Sequence, residues 1–376
     1  MKAGPVTLLV LQPTPFCNLD CRYCYLPNRS SRKQMGREVL EAACRAVFDS
    51  RLCQRDLTIA WHAGEPLVLP VTFYEGALAI INRLNRAQVR VRHNIQTNGV
   101  LIDEKWCAFF LRHGIKVGLS LDGPAFLHDA SRLKRNGRGS HADAMRAVRL
   151  MQEARIPFEV IAVVTRNTLA HPEAFIEFFL SEKIPGIALN IEEIEGNHAD
   201  SSLAYAEATD DFRRFLTVVY KMVRASGSLR VRELAAIERY LLGGGLVVPT
   251  MYRPLSNVTV DCDGNFTVFA PELLGAKHPV HGPLVFGNVL TQDFDSVLKT
   301  ERFRTVYAEV LKGLRMCKLS CQYHSVCGGN SPSNKLFENH TFASTETMDC
   351  RLNRKIAAEV VLEELEQAYG LPGTSH

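Results

Sequence analysis

Short apolar runs of strand length alternate with longer amphipathic segments over roughly the first 225 residues of the chain. Compact apolar runs indicate buried strands, whereas apolar residues that recur every three or four positions indicate helices. The predicted strands are Val6–Gln12, Leu57–Trp61, Val89–Gln96, Ile115–Leu121, Phe158–Thr165 and Gly186–Ile191. The helical segments that follow them span residues 36–50, 71–86, 103–113, 140–154, 171–182 and 203–225. These repeated units predict a parallel sheet with helices outside it, because parallel strands need a helix-sized crossover of fixed hand.

This alternation fits a doubly wound open sheet or an incomplete barrel, and the pattern alone does not choose between them. In both architectures the reactive site lies at the carboxyl ends of the strands. The pattern changes after residue 225, where the glycine run Gly243–Gly245 is followed by a hairpin over Asn257–Phe269 and a closing helix over Leu352–Tyr369. We therefore predict an α/β domain over residues 1–230, a linker over 231–255 and an α+β domain over 256–376.

Composition restricts the classes of function. The 376 residues carry a formal net charge of +4, and the basic residues lie in short mixed runs, which argues against nucleic acid or a membrane surface as partner. The chain has no apolar run long enough to span a membrane and no signal cleavage site, which predicts a cytoplasmic protein. Eleven cysteines, an odd number, argue against a disulfide framework and favour metal ligands plus a few free thiols. The free thiols expected to be small buried hydrophobes are Cys44, Cys53, Cys107 and Cys262.

Three cysteines follow the first predicted strand directly: Cys17, Cys21 and Cys24. A structural zinc site needs four ligands, and no other cysteine lies at a partner spacing. On a four-iron cluster, three thiolates instead leave one iron open to a substrate or cofactor. A zinc knuckle or a metal-free loop is the alternative.

The C-x3-C-x2-C spacing, with Tyr23 before the third cysteine, resembles the radical S-adenosylmethionine (SAM) superfamily. Further motifs fit in order at the strand ends: Gly64-Glu65-Pro66, Gln96-Thr97-Asn98-Gly99, Ser120-Leu121-Asp122-Gly123 and Arg132. Taken alone, the first two are also typical of ordinary turns, Ser120 and Asp122 of polar groups that cap a strand end, and Arg132 of a solvated basic loop. The resemblance covers residues 6–225 and implies a partial (β/α)6 barrel, SAM bound to the open iron of a 4Fe–4S cluster, and a 5′-deoxyadenosyl radical. It implies SAM contacts from Tyr23, Gly64, Glu65, Gln96, Asn98, Ser120, Asp122 and Arg132.

A second group of cysteines near the other end supplies four thiolates: Cys317, Cys321, Cys327 and Cys350. Four thiolates suit zinc or a cluster equally well. Beside a radical SAM barrel they resemble the SPASM or twitch domains, which carry auxiliary iron–sulfur clusters. The full SPASM pattern has two further cysteines where this chain has Phe269 and Ser331. We therefore expect one auxiliary 4Fe–4S cluster with four cysteine ligands.

Finer resemblance concerns the reaction. The segments WHAGEPLVLP (61–70), NIEEIEG (190–196), FAPELLG (269–275) and CGGNSPSNK (327–335) are similar to maturases of glycine-rich-repeat precursor peptides. That resemblance implies a ribosomal precursor peptide as substrate, hydrogen abstraction, and a cyclophane crosslink between a side-chain carbon and an aromatic ring. It also implies an external one-electron reductant of the flavodoxin or ferredoxin kind. Glu272 is a candidate proton acceptor for rearomatisation of the ring.

Other reactions stay open, since sites rather than folds decide chemistry. They are thioether formation, epimerisation and formylglycine-type sulfatase maturation. Outside catalysis, an iron–sulfur electron carrier or a zinc-stabilised peptide-binding protein would also account for the cysteines. Release of 5′-deoxyadenosine from SAM by the reduced protein separates the enzymes from both non-enzymes.

Overall fold

The computed structural model describes residues 3–244 and 252–370, so the part of the predicted linker at 245–251 lies outside the described residues. The strands of the main sheet are β1 (Val6–Leu11), β2 (Cys53–Trp61), β3 (Arg90–Thr97), β4 (Lys116–Ser120), β5 (Phe158–Val164), β6 (Gly186–Ile191), β7 (Arg230–Val231), β8 (Asn257–Val260), β9 (Asn265–Thr267) and β12 (Gly287–Asn288). A separate two-stranded hairpin consists of β10 (Lys277–His278) and β11 (Gly282–Pro283).

The six predicted strands are confirmed as a parallel set in chain order, each hydrogen-bonded to the next. The sheet is not closed into a full barrel, because β1 pairs with β2 and β8 whereas β6 pairs with β5 and β7. Only the start of β2 was missed by the sequence pattern. Its first residues, Cys53–Asp56, are partly or fully exposed and polar, so they carry no apolar signal.

The helices of the first half are α1 (Arg37–Phe48), α2 (Val71–Leu84), α3 (Glu104–His113), α4 (Ala125–Ser131), α5 (His141–Glu153), α6 (Arg166–Leu169), α7 (Pro172–Ser181), α8 (Ala208–Ser226) and α9 (Arg232–Leu241). The later ones are α10 (Phe294–Val297), α11 (Glu301–Ser320), α12 (His324–Cys327), α13 (Pro332–Asn339) and α14 (Ala357–Tyr369), the last preceded by a π-helical turn over Cys350–Ile356. All six predicted helices of the barrel are confirmed within a few residues. The short α4 and α6 were not predicted.

Helix α9 lies inside the predicted linker, where the sequence pattern predicted no helix. Its Leu234 and Ile237 are buried at helical spacing. Its Glu233 carboxylate accepts a hydrogen bond from the backbone N–H of Leu189 in β6 over 2.8 Å, which ties the helix to the sheet. The sequence pattern missed it because one buried face of two residues in a charged segment is a weak periodic signal.

The predicted hairpin of the C-terminal segment joins the main sheet. Strand β8 lies parallel to β1, with Leu8 opposite Asn257 and Leu11 opposite Val260. Strand β9 then continues the sheet as the antiparallel neighbour of β8. This pairing fixes the C-terminal segment beside the strand that leads into the first cysteine group.

Candidate functional site

The loop of the first cysteine group begins where β1 ends and is held by two arginines. Arg135 Nε donates to the carbonyl oxygen of Cys17 over 2.7 Å, and Arg29 Nη1 donates to that of Cys21 over 3.2 Å. The backbone N–H of Leu19 points at Cys17 Sγ over 3.4 Å. A backbone N–H aimed at sulfur is a common feature of iron–sulfur ligands and favours the thiolate form.

Gly64 brings the end of β2 against this loop. Its φ is +59°, and a Cβ there would lie 2.5 Å from the carbonyl oxygens of Thr14 and Phe16. The next residue, Glu65, donates its backbone N–H to the same Phe16 oxygen over 2.8 Å. Only glycine permits this approach, because it has no side chain and accepts positive φ.

The Glu65 carboxylate is buried where β2 and β3 end, with 1% of the residue exposed. It accepts hydrogen bonds from Leu67 N (2.9 Å), Thr97 Oγ1 (2.7 Å) and Asn98 N (2.8 Å). Burial raises the pKa of Glu65 to about 7, and these hydrogen bonds oppose the rise. The carboxylate therefore orders the QTNG segment as well as facing the cavity.

Asp122, Arg132 and Tyr23 form a buried polar cluster at the end of β4. Asp122 Oδ2 accepts hydrogen bonds from Arg132 Nε over 2.9 Å and from the Tyr23 hydroxyl, and its Oδ1 accepts from Val163 N over 2.9 Å. The Arg132 guanidinium also lies 5.3 Å above the centre of the Tyr23 ring. This carboxylate holds in place the two neighbours that face the cavity.

One cavity of about 260 Å³ gathers the predicted site at the carboxyl edge of the sheet. Asp122 is the one predicted SAM contact that is not among its lining residues. His62, for which the sequence analysis gave no role, also lines the cavity, and burial lowers its pKa to about 4. The predicted cluster ligands and SAM contacts that line the cavity are Cys17, Cys21, Tyr23, Cys24, Gly64, Glu65, Gln96, Asn98, Ser120 and Arg132.

The distances between the cysteine sulfurs bear on which metal ion or cluster three or four thiolates can bind. Thiolates around one zinc ion, each about 2.3 Å from the metal, lie about 4 Å apart. Within residues 3–244 and 252–370, no three cysteine sulfurs of either group lie mutually within 4.8 Å. In neither group are three sulfurs as close together as the ligands of a single zinc ion. Burial raises the pKa of Cys17 to about 12 and that of Cys21 to about 11, so binding a cluster there releases protons.

The second cysteine group lines a separate cavity of about 320 Å³. Cys317 is near the end of α11, Cys321 follows it, Cys327 ends α12, and Cys350 begins the π-helical turn. All four predicted ligands therefore meet in one place although they come from separate segments. Lys335, which is 1% exposed, donates from Nζ to Cys317 Sγ over 3.3 Å.

The two positions at which the full SPASM pattern has further cysteines serve other purposes. Phe269 is 1% exposed and packs against the rings of Phe286, Phe303 and Tyr307. Ser331 caps α13, since its side chain accepts from Ser333 N. Neither position offers a ligand.

The eleven cysteines form no disulfide. Of the four expected to be buried hydrophobes, Cys44 and Cys107 are buried, whereas Cys53 and Cys262 are partly exposed, which corrects the prediction. The exposed start of β2 accounts for Cys53, and a turn of the β8–β9 hairpin accounts for Cys262.

Three glutamates connect the barrel cavity to the C-terminal segment. Glu193 and Glu195 follow β6, and Glu272 follows the hairpin. All three line the 260 Å³ cavity and also a neighbouring cavity of about 510 Å³ that reaches Cys327. The sequence identified Glu272 alone, although the NIEEIEG segment at a strand end carried a signal for the other two.

Glu193, Glu195 and Glu272 together form the acidic trio. Because all three carboxyl groups are buried close together, it is unfavourable for all of them to be charged at once. Burial raises the pKa of Glu193 to about 8, and that of Glu195 is raised well above its ordinary value by burial and then by Glu193. Burial also raises the pKa of Glu272. At neutral pH the trio therefore carries fewer than three charges and can both donate and accept a proton.

Two sequence comparisons with known proteins identify the family of this chain. The sequence profile of the Radical SAM superfamily matches residues 11–179, which include the cysteine loop and the strand-end motifs. The chain is also 40% identical to the protein sll1766 of Synechocystis sp. over 374 residues, which is 98% of this chain and 94% of that one. The chain belongs to the radical SAM superfamily.

More distant relatives agree with this assignment. The serine-type anaerobic sulfatase-maturating enzyme of Klebsiella aerogenes is 30% identical over 222 residues. That match covers 58% of this radical SAM enzyme but only 54% of the relative's length. The solved structure of anSMEcpe with bound AdoMet and Cp18Cys peptide shares the fold, with a TM-score of 0.74, 22% identity and 97% of each chain covered.

Membership in this superfamily implies SAM and a 4Fe–4S cluster. The residues in a position to hold the cluster are Cys17, Cys21 and Cys24, and the cavity beside them is lined by polar groups that suit SAM. No helix in residues 3–244 and 252–370 is both long and apolar enough to cross a membrane.

Proposed function

We propose that this radical SAM enzyme matures a ribosomally made precursor peptide by joining a side-chain carbon to an aromatic ring, which forms a cyclophane. The observation that carries the proposal is the acidic trio, which lines both the cavity beside the first cysteine group and the cavity that reaches the second. A peptide segment in this passage would face the SAM site on one side and the C-terminal cysteines on the other. The bound cluster and SAM supply the one-electron chemistry that removes a hydrogen atom from an unactivated carbon.

We assign the binding of SAM to the residues around the smaller cavity. Gly64 and Glu65 would receive the amino group, because the buried carboxylate and the close backbone form an acceptor site for a cation. Ser120 and Arg132 would bind the carboxylate of SAM, with Arg132 held by Asp122. Tyr23, Gln96 and Asn98 complete the wall of the cavity.

We assign proton transfer to the acidic trio, with Glu272 as the acceptor. After hydrogen abstraction, the new carbon–carbon bond leaves one hydrogen on a ring carbon that must depart as a proton, together with one electron. Glu272 lines the passage together with Glu193 and Glu195, and burial raises its pKa. A carboxylate with a raised pKa is a stronger base than an ordinary one, which suits this step.

We assign the departing electron to one auxiliary 4Fe–4S cluster on Cys317, Cys321, Cys327 and Cys350. Support comes from the cavity of about 320 Å³ that these four cysteines line together. A single auxiliary cluster is expected, because Phe269 and Ser331 are occupied by packing and helix capping. A flavodoxin- or ferredoxin-like protein would supply the electrons for SAM cleavage. Such clusters and free thiols need a reducing compartment, so we expect the enzyme to act in the cytoplasm.

Sulfatase maturation is the second candidate function, and the relatives named as sulfatase-maturating enzymes favour it. The sequence match covers 54% of the Klebsiella enzyme's length and, at 25% identity, 84% of the length of the serine-type enzyme of Bacteroides thetaiotaomicron. The full SPASM cysteine set expected of a sulfatase-maturating enzyme is incomplete in this chain, which has Phe269 and Ser331 at two of the positions. We therefore place crosslinking first.

The deciding experiment co-expresses the chain anaerobically with a glycine-rich precursor peptide that contains aromatic residues. Cyclophane formation and the conversion of serine to formylglycine both remove two hydrogen atoms from the peptide, so intact mass alone does not separate them. A cyclophane blocks fragmentation between the joined residues, whereas formylglycine is an aldehyde that reacts with a hydrazide. Hydrazide labelling without a crosslink would replace our proposal by the second candidate. A C17A/C21A/C24A variant is the control and should leave the peptide unchanged.

The acidic trio gives a separate prediction. Glu272→Gln should lower the yield of crosslinked peptide about 100-fold, in the range of a lost general base, while 5′-deoxyadenosine is still released. Chromatography of the nucleoside and mass spectrometry of the peptide measure the two yields in one reaction. Glu173→Gln, on the exposed side of α7, is the matched control. Equal loss of both products in E272Q would mean that Glu272 acts before the crosslink, contrary to this assignment.

A further inference from the structure

Lys335 is a lysine enclosed by protein beside the second cysteine group. The residue is 1% exposed and lies on α13, whose N-terminus is capped by Ser331. Its Nζ donates to Cys317 Sγ over 3.3 Å. In the described part of the chain, no carboxylate oxygen lies within 4.0 Å of this ammonium group.

A buried ammonium group without an anion is strongly unfavourable, because desolvation of the charge is not repaid. The group that faces Lys335 is the sulfur of Cys317, one of the four proposed cluster ligands. A four-iron cluster bound by four thiolates is anionic and becomes more negative when it accepts an electron. A fixed cation beside one ligand therefore stabilises the reduced cluster more than the oxidised one.

We propose that Lys335 sets the reduction potential of the auxiliary cluster, raising it through its charge and its hydrogen bond to Cys317. The inference rests on the proposed function, which places a cluster on these cysteines and assigns it the electron released by the product. Lys335 touches a ligand and not the substrate, so it is a positioning residue. A higher potential makes the cluster the better electron acceptor.

Lys355 offers a matched comparison within the same chain. It also borders the cavity of the second cysteine group. Its ammonium group, however, forms an ion pair with Glu346, and its side chain is 26% exposed. The carboxylate and the solvent both reduce the field of this lysine at the cluster, so its removal should shift the potential less.

The test is a redox titration of the auxiliary cluster, followed by EPR, in the C17A/C21A/C24A protein, which retains only this cluster. Lys335→Met removes the charge and the donor, Lys335→Gln removes the charge, and Lys335→Arg keeps both. We expect the midpoint potential to fall in K335M, to fall less in K335Q, and to stay near that of the parent in K335R and K355M. Iron content and circular dichroism confirm that each variant is loaded and folded.

Other results would contradict either the role of Lys335 or the auxiliary cluster itself. A loaded K335M protein with the parent's potential, or one shifted no more than K355M, refutes the inference about Lys335 alone. If K335M and K335Q both fold but bind no iron, Lys335 serves cluster assembly. If both fail to fold, it serves packing, and either result also overturns the inference. A parent protein that binds zinc or no metal at the second group refutes the auxiliary cluster of the proposed function itself.

Discussion

Replacement of Asp122 by Asn tests whether the buried pair with Arg132 is the element that orders the SAM side of the cavity. The two side chains are 4% and 9% exposed, so water cannot replace the lost charge. Removal of one partner from such a pair costs about 3–5 kcal/mol. Because Asn keeps an oxygen for Val163 N, we expect D122N to lower the free energy of unfolding by about 3 kcal/mol.

A double-mutant cycle isolates the pair from its surroundings. Arg132→Met should cost a similar amount, and the double variant should cost less than the two together by about 2 kcal/mol, because no unpaired charge remains. Urea unfolding of the apoprotein provides the measurement, followed by the fluorescence of Trp61 and Trp106, which are 1% and 6% exposed. The same variants should bind SAM weakly, because Arg132 lines the cavity.

An exposed ion pair serves as the control. Arg90 Nε lies 2.5 Å from Asp56 Oδ1, but these side chains are 69% and 45% exposed. The D56N and R90M variants should therefore show no coupling above experimental error. If the cycle at Asp122 and Arg132 were additive within about 0.5 kcal/mol, the ordering function that we assign to the buried pair would be wrong.

Two further predictions concern glycine and histidine. Gly64→Ala should lower the free energy of unfolding by about 2 kcal/mol and reduce iron in the first cluster, because its Cβ meets backbone at 2.5 Å. Gly76→Ala, in α2 with nothing within 4 Å, should instead be neutral or stabilising, and equal effects in iron assays and urea unfolding would contradict the steric argument. Burial lowers the pKa of His128 to about 4 from an unfolded value near 6.5. As the pH falls from about 6.5 to 4, the unfolded chain therefore takes up a proton at His128 that the folded chain does not. This difference should lower the free energy of unfolding by about 3 kcal/mol over that range, and the H128Q variant should not show this loss. Parallel pH–stability curves for the two proteins would refute this assignment.

Much of the site could be predicted from the sequence because the chemistry is carried by short motifs at strand ends. Cys17, Cys21 and Cys24 lie in one loop, so their proximity follows from spacing alone. The parallel sheet brings the later motifs to the same edge, and ten of the predicted cluster ligands and SAM contacts line one cavity. The sequence could not show that Asp122 is turned away from the cavity, since that depends on the positions of Tyr23 and Arg132.

The features that depend on contacts between distant parts of the chain could be known only from the tertiary structure. Strand β8 lies beside β1 through pairing between residues about 250 positions apart, such as Leu8 and Asn257. That pairing brings Glu272 to the cavity where Glu193 and Glu195 lie, and desolvation there raises their pKa values. Lys335 likewise is an ordinary polar residue in the sequence and becomes a buried cation on Cys317 only after folding. Local spacing determines which ligands share a loop, whereas burial and charge pairing depend on the whole chain, because desolvation is a property of everything packed around a group.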